Sequence, residues 1–217
     1  MQFVMGSEKI GFLPDHLIVA GWTGRDTQIV QHHIDELAAL GVAPPSATPL
    51  FYQVSNTLLV PGGAVQVLGD ATSGEAEPLL IRREGRLWLG LASDHTDRDL
   101  ETMSVAASKQ VCPKPCAAEL WEFALVADHV DQLQLRSWIM EGGDWQLYQD
   151  GTLGQIMPLH QLAAGMDGME CAAMLCGTLP AIGGVRPAAE FRAELSDPVR
   201  DRTITLQYRT TSLRVVQ

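Results

Sequence analysis

The sequence predicts an α+β fold, a mixed β-sheet of many short strands with about three helices. Three observations lead there. Short apolar runs recur between Gly, Pro, Asn and Asp residues, as strands do. Few segments carry apolar residues at helical spacing. The chain has 217 residues and is 46% hydrophobic, enough for one domain with a substantial core. No repeat, low-complexity tract or long linker divides it, so residues 1–217 are expected to form a single domain.

Residues 16–22 (HLIVAGW) read as a buried strand. From Thr23 or Asp26 the pattern turns helical. Val30, Ile34, Leu37, Leu40 and Val42 recur at three- and four-residue steps, until Gly41 and Pro44-Pro45 stop the helix. Short strands follow at 50–54, 57–60 and 64–68. Residues 74–93 read as a hairpin turning at Glu84-Gly85, and 99–109 as a helix ended by Pro113 and Pro115. Residues 119–126 and 132–140 alternate as strands, 141–144 form a turn and 145–148 a further strand. A short helix at 159–164, a buried strand at 172–176 and a C-terminal strand or pair at 203–215 complete the reading.

The formal net charge is −11. An acidic surface repels phosphate backbones and anionic lipid, which argues against nucleic-acid and membrane partners. The N-terminus lacks a basic start followed by an apolar stretch, so no signal peptide is expected. The longest apolar run, 171–185, is broken by Gly177, Pro180, Gly183 and Gly184, and the expected compartment is the cytoplasm. Cys112, Cys116, Cys171 and Cys176 lack zinc-knuckle spacing and read as reduced thiols.

The hairpin gathers acids at its open end. Glu75 and Glu77 are two apart and share a face of the strand. With a two-residue turn at Glu84-Gly85, Asp94 falls opposite Glu75. Like charges so placed weaken a sheet. At about 5 Å and an effective dielectric of about 20, each pair repels by roughly 3 kcal/mol. A divalent hard cation between them would compensate, and an all-oxygen donor set selects magnesium, manganese or calcium. The alternative is a set of solvated acids at an exposed strand end.

Arg98 and Lys109 supply cations near this cluster, which suits an anionic, oxygen-rich substrate. In the first helix, His33 and Glu36 are three apart and share a face. A carboxylate beside an imidazole orients it and raises its basicity, as a general base requires. His32 faces elsewhere. Gln149, in a polar turn, and Gly177-Thr178, ending an apolar strand, could meet a substrate carboxylate.

Taken in order, E-x-E, D-x-T-x-R-D, a Lys before Cys-Pro, Q-D-G-x-T and G-T-x-P resemble the fumarylacetoacetate hydrolase superfamily. More narrowly, G-W-T-G-R-D, S-D-H-T-D-R-D and S-K-Q-V-C-P-K-P resemble a bacterial branch, the domain of unknown function numbered 2848. The resemblance implies a mixed β-sheet roll or barrel, with residues 23–45 as a helical lid. It implies Mg2+ or Mn2+ on Glu75, Glu77 and Asp94, and His33 with Glu36 as the water-activating dyad. Lys109 would be catalytic. Arg98, Gln149, Gly177 and Thr178 would contact a small oxo-acid. A homodimer is also implied. The expected reaction is hydrolysis of a C–C bond in a β-diketo or 2-oxo acid. The alternatives are dehydration of a 2-oxo-3-deoxy sugar acid, decarboxylation or tautomerisation at the same site, or a non-catalytic metal or oxo-acid binding protein.

Overall fold

The computed structural model describes residues 1–39 and 44–216. Two strands open the chain, β1 (Gln2–Met5) and β2 (Glu8–Gly11), followed by β3 (His16–Gly21) and helix α1 (Thr27–Ala39). Then come β4 (Leu50–Val54), β5 (Leu59–Pro61), β6 (Gly63–Leu68), β7 (Thr72–Ser73), β8 (Ala76–Arg83), β9 (Arg86–Ser93) and β10 (Thr96–Asp97). Helices α2 (Arg98–Glu101) and α3 (Val105–Gln110) lead into β11 (Lys114–Cys116) and β12 (Glu119–Glu122). The second half holds β13 (Gln134–Glu141), β14 (Asp144–Thr152), α4 (Leu159–Leu162), β15 (Cys171–Leu175), β16 (Glu190–Asp197) and β17 (Arg202–Leu213).

The strands form two main sheets. The larger is mixed and runs β2-β1-β12-β9-β8-β15-β3-β4, with β11 joined to β9 and β5. The smaller runs β14-β13-β16-β17-β6, and β7 pairs with β10 beside them. Strands β8 and β9 lie mid-sheet and are buried on both faces. Such strands read as nearly continuous apolar runs, which explains PLLI and LWLGLA.

Alternation sorts the two faces. Ala76, Leu80, Leu89 and Leu91 pack with Leu135, Ile139, Leu195, Ile204 and Tyr208 of the smaller sheet. Leu79, Ile81, Trp88 and Ala92 face the other way, with Phe3, Leu17, Val19 and Leu175. Glu77 continues this second row by strand parity.

The hairpin register is the predicted one. Arg83 pairs with Arg86, Glu77 with Ala92 and Ala76 with Ser93. Beyond the last pair, the Asp94 N–H donates to the Glu75 carbonyl at 3.0 Å. Glu84 (φ +50°) and Gly85 (φ +72°) are both left-handed, as a two-residue type I′ turn demands.

Several elements depart from expectation. The helix expected over 99–109 is two, because Ser104 leaves helical geometry and caps α3 through the Ala107 N–H. The strand expected over 119–126 ends at Glu122, and a 3-10 turn occupies Phe123–Leu125. Strands β1, β2 and β16 were not expected. They are completed by partners distant in sequence, such as the parallel pairing of β1 with β12. The expected stop of the first helix at Gly41 lies outside the described residues. Among the described residues, no helix is long and apolar enough to cross a membrane.

Glu84 is the weak point of the central hairpin, since left-handed geometry costs an L-residue roughly 1 kcal/mol. Glu84→Asn, which tolerates that geometry, is expected to raise stability by about 0.5–1 kcal/mol. Denaturant melts would show it, and a lower midpoint would contradict the turn assignment.

Candidate functional site

The hairpin's open end places Glu75 and Glu77 on one strand and Asp94 just past the other. Glu77 and Asp94 are buried, and Glu75 is largely so. Protein cations stand against them. Arg98 Nη2 lies 3.0 Å from Glu75 Oε2, and its Nη1 is 2.9 Å from Glu101. Lys109 Nζ lies 2.5 Å from Asp94 Oδ2, and Lys114 Nζ lies 3.2 Å from Asp94 Oδ1. Three side chains thus supply positive charge beside Glu75 and Asp94, and one of them, Lys114, was overlooked in the sequence.

Each cation is placed by local structure. Asp97 caps α2 by accepting from the Leu100 N–H, which sets Arg98 at the helix start. There Arg98 Nε donates to Ser73 Oγ at 2.7 Å. Lys109 sits in the last turn of α3. Lys114 is fully buried, and its ammonium donates to the carbonyls of His95 (2.6 Å), Lys109 (2.6 Å) and Cys112 (3.0 Å). It ties the loop bearing Asp94 to the end of α3.

These charges shift one another. Burial pushes the Glu77 carboxyl well above its usual range, and the Asp94 charge pushes it further. Burial also acts on Asp94, but Lys109 and Lys114 outweigh it and hold that carboxyl far below the usual range. Burial opposes the Lys109 charge, yet Asp94, Glu75 and Glu77 raise its pKa overall. Burial lowers the pKa of Lys114 against the pull of Asp94.

Gly177 donates its N–H to Glu77 Oε2 at 2.7 Å. Its φ is +97°, and a Cβ there would lie 1.7 Å from Thr23 Oγ1, so only glycine fits. The Thr178 hydroxyl donates to the Ala76 carbonyl at 2.8 Å. Gln149 is fully buried. Its Oε1 accepts from the Ala76 N–H and the Ser137 hydroxyl, and its Nε2 donates to Thr178 Oγ1 and the Leu179 carbonyl. All four of its hydrogen-bonding positions are used within the protein. A bulge explains its inward aim. Ser137 pairs with Gln149 and Trp138 with Leu147, which leaves Tyr148 extra. Gln149, Gly177 and Thr178, expected at a substrate, here brace the strand that carries Glu77.

Behind Asp94, His95 is buried between Tyr208 Oη and Thr72 Oγ1, each 2.9 Å from one ring nitrogen. Burial, with Lys114 and Arg98 nearby, lowers its pKa to about 3, so the ring is neutral. On the Lys109 side stands Tyr52, its ring centroid 5.9 Å from Lys109 Nζ. Trp22 Nε1 is 3.4 Å from the Tyr52 hydroxyl. Trp22 adopts φ +60°, rare for a bulky residue. Sequence reasoning missed His95, Tyr52 and Trp22 as neighbours of the cluster. For His95, its place next to Asp94 was the available signal.

His33 and Glu36 belong to α1, but their side chains lie outside the described residues. His32 is exposed.

The residues suit a hard divalent cation in kind, since three carboxylates offer only oxygen. Among the described residues, Asp94 Oδ1 and Arg98 Nη2 are buried without an aligned hydrogen bond, despite the nearby Lys114 and Glu75. Buried polar atoms are ordinarily partnered, and of these two only the Asp94 oxygen is an acceptor that a cation could partner. As they stand, however, no three His, Cys, Asp or Glu side chains among the described residues converge into a ligand set.

A family described as "Protein of unknown function (DUF2848)" matches residues 20–208. The chain belongs to this family. Comparison with curated proteins finds no match. Among solved structures, this DUF2848 chain is similar to a proposed fumarylpyruvate hydrolase from Burkholderia cenocepacia. Identity is 18%, coverage 97% of this chain and 91% of that one, and the TM-score 0.63. A 5-carboxymethyl-2-hydroxymuconate delta-isomerase from Mycobacterium smegmatis shares 18% identity over 94% and 81% of the chains, with TM-score 0.60. A 2-keto-3-deoxy-D-arabinonate dehydratase, complexed with magnesium and 2,5-dioxopentanoate, shares 13% over 92% and 74%, with TM-score 0.63. These are members of the fumarylacetoacetate hydrolase superfamily, and at such identities they show a common fold.

The raised Glu77 pKa gives a signed prediction for metal-free protein. A carboxyl raised on folding favours the native state when protonated. That advantage fades as pH rises from the usual 4.5 through the folded value. Glu77→Gln keeps an acceptor for the Gly177 N–H and removes the charge. Denaturant melts in chelator, stepped upward from about pH 4.5, should show the variant gaining on wild type as pH rises. A gap that stays constant or reverses would contradict the Glu77 environment described.

Proposed function

We propose that the protein is a divalent-metal-dependent hydrolase that cleaves a C–C bond in a small β-diketo or 2-oxo acid. The observation that carries this reading is the pair of buried carboxylates Glu77 and Asp94 with the partly buried Glu75, the unaligned Asp94 Oδ1 among them, set beside Arg98 and Lys109. Glu75, Glu77 and Asp94 would hold Mg2+ or Mn2+, which when bound polarises a substrate carbonyl as a Lewis acid.

The remaining steps fall to the chain's own groups. Arg98 and Lys109 attract and orient the substrate carboxylate. His33, oriented by Glu36 one helical turn on, takes a proton from water. The water oxygen adds to the distal carbonyl carbon. The bond from that carbon to the neighbouring methylene breaks, and the methylene keeps the electron pair. It then takes a proton, so a carboxylic acid and a 2-oxo acid leave. Lys109 faces the oxygen on which negative charge develops.

The nearest rival is dehydration, decarboxylation or tautomerisation at the same site. The superfamily neighbours described as a dehydratase with magnesium and as an isomerase favour it. A homodimer and a cytoplasmic setting are part of the proposal.

Product analysis with acylpyruvates and 3-deoxy-2-oxo sugar acids, with Mg2+ or Mn2+, separates the readings. We expect C–C cleavage that needs metal and falls about 100-fold or more in His33→Ala and Glu36→Ala with folding intact. Dehydration without cleavage would install the rival. Bound metal with no turnover of any substrate would make the protein a binder.

A further inference from the structure

Asp94 faces two ammonium groups, and they are held differently. Lys114 is fully buried and donates to three backbone carbonyls, those of His95, Lys109 and Cys112. These acceptors match its three N–H groups, so Lys114 is fixed. Lys109 has one hydrogen-bond acceptor among the described residues, Asp94 Oδ2. It reaches Asp94 from the last turn of a short helix, and beyond it lies the Tyr52 ring. One contact holds Lys109, so it can withdraw where Lys114 cannot.

Its position conflicts with a metal ion. The Lys109 charge is felt by Asp94, Glu75 and Glu77 together, the three carboxylates a divalent cation would share. Lys109 already occupies Asp94 Oδ2, so a divalent ion that takes this oxygen competes with the ammonium for it, and the two like charges repel. The carboxylates also do not converge while Lys109 and Arg98 hold them.

We infer that Lys109 is a placeholder cation. Its ammonium compensates the carboxylate cluster until a divalent ion binds, then leaves Asp94 and becomes available to the substrate, while Lys114 stays in place as the permanent counter-ion of Asp94. This rests on the metal reading above. It adds an order of events, in which the substrate-facing charge is released only once the metal has arrived.

The chain has three lysines, Lys9, Lys109 and Lys114, which makes the test direct. Brief acetylation of the whole protein with acetic anhydride, read by peptide mass spectrometry, reports each amine with and without Mn2+. We expect labelling of Lys109 to rise several-fold with Mn2+. The exposed Lys9 should be unchanged and Lys114 protected throughout. Labelling of Lys109 that stays flat or falls would overturn the inference. Calorimetric titration with Mn2+ gives a second readout. Lys109→Met should bind about tenfold or more tightly, because the competing charge is gone. Equal or weaker affinity in that variant, with metal bound by both proteins, would overturn the placeholder and leave the metal reading standing. No Mn2+ binding by either protein would overturn both.

Discussion

Burying three carboxylates within reach of one another demands positive charge beside them, and the structure around the central hairpin is organised to meet that demand. Glu77 and Asp94 have lost most of their water. Lys109 and Lys114 stand against Asp94 and Arg98 against Glu75, at 2.5–3.2 Å, while Glu77 accepts the Gly177 N–H. Each of these cations is itself costly to bury. They persist because α2 sets Arg98 at its N-terminus and three loop carbonyls complete Lys114. Removing one partner would leave an uncompensated charge, so acids and bases must be read as one unit.

The two sheets serve this unit together. The larger supplies the hairpin, and its register fixes which side chains face each other. The smaller supplies braces. Gln149 of β14 holds the Ala76 N–H, and Thr178, in the loop after β15 of the larger sheet, holds its carbonyl, one residue from both glutamates. Tyr208 holds the His95 ring and the Ser93 hydroxyl, on either side of Asp94. The Gly177 N–H, where β15 ends, fixes one Glu77 oxygen. Backbone and neutral groups thus position the acids and Lys114.

Much of this was legible in the sequence because strand parity is strict. Glu84-Gly85 suits a two-residue turn, and with that turn Glu75 falls opposite Asp94. The buried strands at 16–22 and 172–176 were legible from apolar runs too short for helices. The roles of the cations were not. Lys114, between two prolines, reads as an exposed lysine in an extended segment. Its burial depends on three carbonyls that only the folded loop brings together. Arg98 reads equally well as a partner for Asp97 or Asp99, yet it chooses Glu75 and Glu101. The break between α2 and α3 was missed because residues 99–109 contain no Gly or Pro, although Ser104 is a favoured N-cap residue. The fold class followed from element count, and family membership from the order of several weak motifs.

The proposed chemistry requires Glu75, Glu77 and Asp94 to share one divalent ion. Anomalous diffraction from crystals grown with Mn2+ addresses it most directly. The account predicts a single strong manganese peak bounded by oxygens of those three side chains, with Lys109 turned away from Asp94. Well-ordered crystals with no peak there, and Lys109 still seated on Asp94 at saturating Mn2+, would contradict it.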